Sequence, residues 1–437
     1  MRRFFVQNFG CRATQADGAA LGTRLTYEGH TEVRERASAD LVILNTCTVT
    51  SSADDDVRQT VRRVRRENPA AEILVTGCYA QRSPEELRAL PGVRWVVGNS
   101  HKAGIPEIIA KQPPQVDFHG ELFIGDIAGH RDFLSAPVLE AAGDRTRPNL
   151  KIQDGCDNRC SFCIIPSVRG PSRSAPGGDV VAQVRALGER YREVVLSGIN
   201  LGRWGRDAGK PREQRLVDLV RRLLDETPVE RLRLSSVEPM DYSDDLLRLM
   251  AASAGRIAAH VHAPLQSGCD ATLKRMKRRY RTRHYAQRME EASAMLPDAA
   301  FGADVMVGFP GETEAEFHDS VRFIESMPFT YLHVFSYSER PGTPAAGYEG
   351  CVPMPLRKER NRVLRELAAR KNATFRARFV GRSLSAVTLE RGRALSSNYL
   401  DIELGPGAVA NRLINVEIGG LTGAGLRERA LLPVLAG

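Results

Sequence analysis

The sequence predicts an α/β protein in three parts: a small parallel α/β domain, a longer (β/α)6 partial barrel, and a small terminal β-barrel. Three observations predict it. Strand and helix patterns alternate through the first hundred residues, six further strand–helix units begin at Leu150, and the last sixty or so residues break into short alternating runs separated by glycines. At 437 residues the chain exceeds what one hydrophobic core usually serves, so several domains are expected.

In the first part, FFVQNFGC, LVILNTC, EILVTGC and WVVG (Trp95 to Gly98) read as strands. Helices are expected from about Thr14 to Glu28, from about Ala53 to Asn68 and near Ile105. A βαβα order of this kind implies a parallel sheet. From roughly Gln112 to Pro148 the periodicity fades into a Pro-, Gly- and charge-containing stretch, expected to be a linker. The second part carries LKIQ at Leu150, EVVLS at Glu193, RLRLS at Arg231, HVHA at His260, GADVMVG at Gly302 and HVFSY at His333. Helical patterns lie between them, including Asp179 to Tyr191, Leu216 to Asp225 and Glu314 to Met327. Such a series places chemistry at the carboxyl ends of its strands. After a basic helical stretch (PLRKERNRVLRELAARKNATFRARF), SLSAVTLE, NYLDIEL and LINVEIGG read as the terminal barrel.

Composition bounds the function. A hydrophobic fraction of 42% with 26% charged residues suits an ordered globular protein. No stretch approaches the ~18 apolar residues of a membrane span, and MRRFFVQNFG lacks an apolar leader, so no membrane association and a cytoplasmic location are expected. Lys and Arg outnumber Asp and Glu by 62 to 53, a net charge of +9 that favours an anionic partner. Eight cysteines in such a chain point to metal binding or catalysis rather than disulfides.

Cys156, Cys160 and Cys163 form a C-x-x-x-C-x-x-C loop that opens at Gly155, just past a strand. Three thiolates so spaced can bind three irons of a [4Fe-4S] cube and leave the fourth open. An open iron can chelate S-adenosylmethionine (SAM) and reduce it, yielding methionine and a 5′-deoxyadenosyl radical. A zinc site is the competing reading, but zinc usually takes four ligands and this loop has no second C-x-x-C pair or nearby His. Buried, unligated thiols are the other alternative. Around the same strand ends lie Ser197, Gly198 and Asn200 of SGIN; Ser235 and Glu238; Gln266; and Asp304 with VGFPGET. With Phe162 of the loop, these are the candidate SAM contacts. Cys11, Cys47 and Cys78 each fall just past the carboxyl end of a strand, the edge where open α/β sheets assemble binding sites, so they could meet in space.

At KIQDGCDNRCSFCIIPSVRG (Lys151 to Gly170), with NTCTVT, VTGCYAQ, PLQSGCD and DVMVGFPGET, the chain resembles the methylthiotransferase family of radical SAM enzymes over essentially its whole length. The resemblance implies an N-terminal methylthiotransferase domain (1–111), a linker (112–148), a radical SAM core (149–372) and a TRAM-like RNA-binding β-barrel (373–437). It implies that Cys156, Cys160 and Cys163 hold the SAM-cleaving cluster, and that Cys11, Cys47 and Cys78 hold a second [4Fe-4S] cluster that handles sulfur. Two equivalents of SAM would be used per turnover, one to methylate sulfur and one to remove hydrogen from the substrate carbon. No catalytic side chain beyond the cluster ligands is implied. An electron donor and a sulfur donor would be needed as partners.

Members of that family act on isopentenyladenosine or threonylcarbamoyladenosine of tRNA, or on a ribosomal-protein aspartate. KIQDGCDN, LSGINLG, RLRLSSVEP and FSYSERPGTPAA most resemble the threonylcarbamoyladenosine branch, whose substrate lies in the tRNA anticodon loop. Ser167 departs from it, standing where that branch usually has an aromatic residue; Cys269 replaces a usual serine, and Cys351 belongs to no motif. Independently of the resemblance, Arg62, Arg63, Arg65 and Arg66, and a second run Lys274, Arg275, Lys277, Arg278 and Arg279, are either solvated faces or phosphate contacts. Tyr399 and Phe379 are expected in the small barrel's core rather than stacked on RNA. A cluster-bearing RNA-binding or electron-transfer protein without SAM chemistry is the different-class alternative.

Overall fold

The computed structural model describes residues 1–111, 120–131, 133, 146–207 and 215–429. Its first sheet holds β1 (Arg3–Asn8), β2 (Thr31–Glu32), β3 (Leu41–Thr46), β4 (Glu72–Gly77), β5 (Val93–Gly98) and β6 (Glu121–Phe123). All pair in parallel, in the order β2-β1-β3-β4-β5-β6. Every residue of β3 is buried, as a central parallel strand requires when helices cover both faces. On one face Val42, Leu44, Ile73 and Val75 pack against Val57, Val61 and Val64 of α2 (Ser51–Glu67). On the other, Ile43, Leu74 and Trp95 meet Leu21 and Leu25 of α1 (Arg12–Tyr27). The Thr50 hydroxyl caps α2 by accepting from the Ala53 amide at 3.3 Å, and Arg62, Arg63, Arg65 and Arg66 lie on its exposed face.

The expected linker is not wholly a connection. Glu121–Phe123 extends the first sheet at its edge, pairing with Trp95–Val97. Three residues are too few for a periodic signal, and only the neighbouring strand makes them one. Residues 112–119, 132 and 134–145 of that stretch lie outside the described residues.

The second part is an arc of six parallel strands in chain order. β7 (Asn149–Asp154), β9 (Glu193–Gly198) and β10 (Arg231–Leu234) form one half, with the short β8 (Arg173–Ser174) antiparallel to β7. β11 (His260–His262), β12 (Ala300–Val307) and β13 (Tyr331–Ser336) form the other. A parallel bridge between Leu232 and Ile257 and a hydrogen bond from the Val237 amide to the His262 carbonyl (3.0 Å) join the halves. Helices Gly177–Arg190, Leu216–Glu226, Thr282–Met295 and Glu314–Ser326 alternate with the strands. The basic helix Met354–Ala377 buries Leu364 and Leu367 in the same core.

The terminal barrel closes as β14-β15-β16-β18-β17: β14 (Ser383–Leu389), β15 (Arg393–Ser396), β16 (Asp401–Glu403), β17 (Leu413–Leu421) and β18 (Leu426–Glu428). Phe379, Ala386, Ile402, Val416 and Ile418 fill it. Barrel and arc are joined through buried charge. Arg233 donates to the Ser396 and Ser397 carbonyls (3.0 and 3.1 Å) and to Glu193 (2.8 Å), which is wholly buried.

Candidate functional site

The cysteine loop begins with a forced turn. Gly155 has φ +71°, and a Cβ there would fall 2.0 Å from the Pro171 carbonyl oxygen, so no other residue fits where β7 gives way to Cys156. The Cys156 amide then donates to the Gly170 carbonyl, and Ser161 ties the far side down through its amide to the Met276 carbonyl (3.0 Å) and its hydroxyl to the Arg275 carbonyl (2.8 Å). Cys156, Cys160, Cys163 and Phe162 all face one cavity of about 510 Å³. N–H donors converge on the sulfurs: Asn158 N (3.4 Å) and Asn200 Nδ2 (3.8 Å) on Cys156, and Arg278 Nη1 (3.3 Å) on Cys160. Burial and the neighbouring thiols push Cys163 up to about 12. Three thiols facing one cavity beside fixed donors form a set that a polynuclear cation completes.

The cavity also takes Ser197, Gly198, Ser235, Glu238, Gln266 and Asp304, all expected from sequence as SAM contacts. Ser235 lines it, and its Oγ is buried without a hydrogen-bond partner among the described residues, an orphan that a bound polar ligand would satisfy. Gln266 takes a left-handed backbone (φ +67°), held by hydrogen bonds to β12. Glu238 pairs with Arg278. Asn200 stands behind the wall rather than on it, with its amide N–H donating to Gln153 Oε1 at 2.7 Å. Asp304 is already engaged: His262 Nε2 and His333 Nδ1 each lie 3.2 Å from its oxygens. Burial alone would raise the Asp304 carboxyl, but these two histidines hold it well below the usual range.

The dispersed cysteines do meet. A Cβ on Gly10 (φ +88°) would lie 2.5 Å from Cys47 Cβ, so the glycine lets the Cys11 loop close over Cys47. Cys47 is pushed up to about 12 by burial and by its neighbours Cys78 and Cys11. Cys78 opens the short helix Cys78–Arg82 and packs on Ile164 and Val168, immediately after the first cysteine loop. Asn99 Nδ2 reaches both Cys78 Sγ (3.6 Å) and the Val168 carbonyl (2.8 Å). Cys47 and Cys78 are buried; Cys11 is exposed and lines the central cavity. Of the other two thiols, Cys269 is buried and Cys351 exposed near Arg357.

A buried ionic network joins the two cysteine-bearing parts. Asp17 of α1 accepts from Lys102 (3.2 Å), Arg169 (3.0 Å) and Lys151; Asp154 accepts from Lys151 (2.8 Å), Arg169 (2.9 Å) and Arg173 (3.4 Å). Burial would raise the Asp17 carboxyl, yet Lys102, Lys151 and Arg169 hold it well below its ordinary value.

Sequence reasoning missed the far wall. Tyr331 OH sits 2.7 Å from both His260 Nε2 and His262 Nδ1, and Tyr399 of the terminal barrel stacks on His260 at 4.4 Å and 19°. Phe379 is in the barrel core as expected; Tyr399 is half-buried and packs against that core from its edge, where its ring also meets His260. It has a left-handed backbone (φ +63°), on a turn where Ser396 Oγ accepts from the Leu400 amide (2.8 Å). Burial, then Arg233, keeps His260 well below its ordinary value and neutral. One signal was legible: His260 and His262, two apart on a strand, must share a face. Arg278 was read only as part of a charged run; Lys274, Lys277 and Arg279 of that run are exposed, whereas Arg278 is buried against Cys160.

A model of the radical SAM superfamily matches residues 150–324, and one of the uncharacterized protein family UPF0004 matches residues 3–98. The chain is 36% identical to the threonylcarbamoyladenosine tRNA methylthiotransferase MtaB of Aquifex aeolicus over 91% of its own length and 95% of the relative's. It is 33% identical to the tRNA-2-methylthio-N(6)-dimethylallyladenosine synthase of Thermobifida fusca, over 89% of its length and 78% of the relative's. Among solved structures, the radical SAM methyltransferase TsrM of Kitasatospora setae shares the fold with a TM-score of 0.54 at 14% identity, covering 79% of this chain and 75% of that one.

Proposed function

The chain belongs to the methylthiotransferase family of radical SAM enzymes, and from that premise we propose that it converts N6-threonylcarbamoyladenosine, 3′ of the tRNA anticodon, to its 2-methylthio derivative. Membership brings SAM and a [4Fe-4S] cluster with it. The observation that carries the reading is the single cavity shared by Cys156, Cys160 and Cys163, by Cys11 of the second trio, and by Tyr399 of the terminal barrel. That shared lining supports a reading in which a radical source, a sulfur site and an RNA-binding module act on one substrate carbon.

Cys156, Cys160 and Cys163 hold the first cluster and Cys11, Cys47 and Cys78 a second. When bound, the first supplies reduction of SAM and hence hydrogen abstraction, and the second supplies sulfur, with two SAM consumed per turnover and reductant and sulfur brought from outside. The remaining roles belong to the chain. Arg278 and Asn200 donate N–H groups to Cys160 and Cys156, stabilising their thiolates. Ser235 offers its free hydroxyl to SAM, beside Phe162, Ser197, Gly198, Glu238, Gln266 and Asp304. Tyr399 and neutral His260 form an aromatic platform for a base splayed out of the loop. The greater identity to the threonylcarbamoyladenosine enzyme, together with KIQDGCDN and RLRLSSVEP, favours that substrate over isopentenyladenosine.

Mass spectrometry of tRNA nucleosides from a deletion strain tests this. The 2-methylthio group should disappear from threonylcarbamoyladenosine, leave isopentenyladenosine products untouched, and return on complementation. Unchanged tRNA would refute the reading.

A further inference from the structure

The charged groups of the central cavity are nearly all spent on one another. Glu238 pairs with Arg278, and Asp304 with His262 and His333. His260 shares the Tyr331 hydroxyl with His262. One cation remains. Arg12 lines the cavity, and among the described residues its side chain takes part in no ion pair or hydrogen bond. It follows Cys11 directly at the start of α1. It also lies close enough to His260 and Tyr331 for its charge to bear on both, so it faces the aromatic wall across the cavity.

We propose that Arg12 is a specificity residue that receives the carboxylate of the threonyl group on the substrate base. The proposal rests on the threonylcarbamoyladenosine reading and deepens it. An unpaired guanidinium in a partly enclosed, largely apolar cavity is costly unless the ligand brings the counter-charge, and its planar fork matches a carboxylate bidentately. In adenine, C2 and the C6 that carries N6 both flank N1, so a group carried on N6 lies on the same edge of the base as the carbon that receives sulfur. A carboxylate held by Arg12 therefore brings that edge toward Cys11, on the side of the second cysteine trio. An isopentenyl group carries no charge and would leave Arg12 unpaired, so the same residue selects against it.

Equilibrium binding of anticodon stem-loop RNA to the full-length reconstituted protein, followed by fluorescence anisotropy, tests this with three RNAs. They carry threonylcarbamoyladenosine, its methyl ester, or isopentenyladenosine. The wild type should bind the free acid roughly 10- to 100-fold more tightly than the ester, as expected for one charged hydrogen-bonded contact. Arg12→Gln should bring the two together, and Arg12→Lys should keep part of the preference. Equal weakening of acid and ester by Arg12→Gln would assign the arginine to RNA phosphate and overturn the proposal. So would a wild type indifferent to esterification. If tRNA nucleosides from cells still show methylthiolation of threonylcarbamoyladenosine, such a result removes the role of Arg12 alone; if they do not, the substrate reading falls with it.

Discussion

Asp17→Asn should destabilise the protein by about 3–5 kcal/mol, the cost of removing one partner from a buried ionic group. The magnitude follows from what each cation has left. Lys151 and Arg169 keep Asp154, at 2.8 and 2.9 Å. Among the described residues Lys102 keeps only Asn45 Oδ1, at 3.1 Å, and it is almost fully buried. The penalty therefore concentrates on Lys102, and a Lys102→Met change in the same chain should recover part of it. A double-mutant cycle should show coupling on the order of 1–3 kcal/mol. Denaturant unfolding followed by tryptophan fluorescence suits the test, because Trp95 lies in the first sheet and Trp204 in the core of the arc. A single change costing under about 1 kcal/mol, or strict additivity of the two, would refute the network as the staple between the cysteine-bearing parts.

Cys160→Ala should abolish reductive cleavage of SAM, whereas Cys47→Ala should spare cleavage and block sulfur insertion; full methylthiolation by Cys47→Ala would contradict a second cluster. Iron per chain should fall by about half in either variant if each trio holds one cluster. Tyr399→Ala should weaken anticodon stem-loop binding by about 1–3 kcal/mol while Tyr399→Phe preserves it, as anisotropy would register; equal losses would point to the hydroxyl rather than the ring. Burial would raise Glu193, but Arg233, Arg147 and Arg231 outweigh it and hold the carboxyl at about 2. Because the folded value lies below the unfolded one, the stabilisation is present above about pH 4.5 and is lost as pH falls toward 2, roughly 3 kcal/mol in all. Unfolding free energies at pH 6 and pH 3 should show about 2 kcal/mol of that loss in the wild type and much less of it in Glu193→Gln.

Periodicity sufficed wherever an element was long and buried on a defined face. LVILNTC, EVVLS and GADVMVG read correctly as parallel strands because burial on both faces demands continuous apolar runs. Thr31–Glu32, Glu121–Phe123, Arg393–Ser396 and Leu426–Glu428 did not, because two to four residues carry no period and become strands only through a neighbour's hydrogen bonds. The basic run at Lys274 shows the same limit for charge: one of its arginines points inward at a sulfur while its neighbours face water, and composition cannot tell them apart.

By itself the sequence determined the chemistry-bearing residues. The spacing of Cys156, Cys160 and Cys163 is a property of one loop, and local covalent geometry suffices to bring three sulfurs to one side of it. Only the tertiary structure decided what surrounds them. Cys11 is 145 positions before Cys156, and His260, Tyr331 and Tyr399 arrive from two strands of the arc and a turn of another barrel, yet all face one cavity. Their convergence depends on strand order, on the buried Asp17 and Glu193 networks that dock the parts, and on a left-handed turn at Tyr399. None of these is a local property of the chain, so none is written in its periodicity.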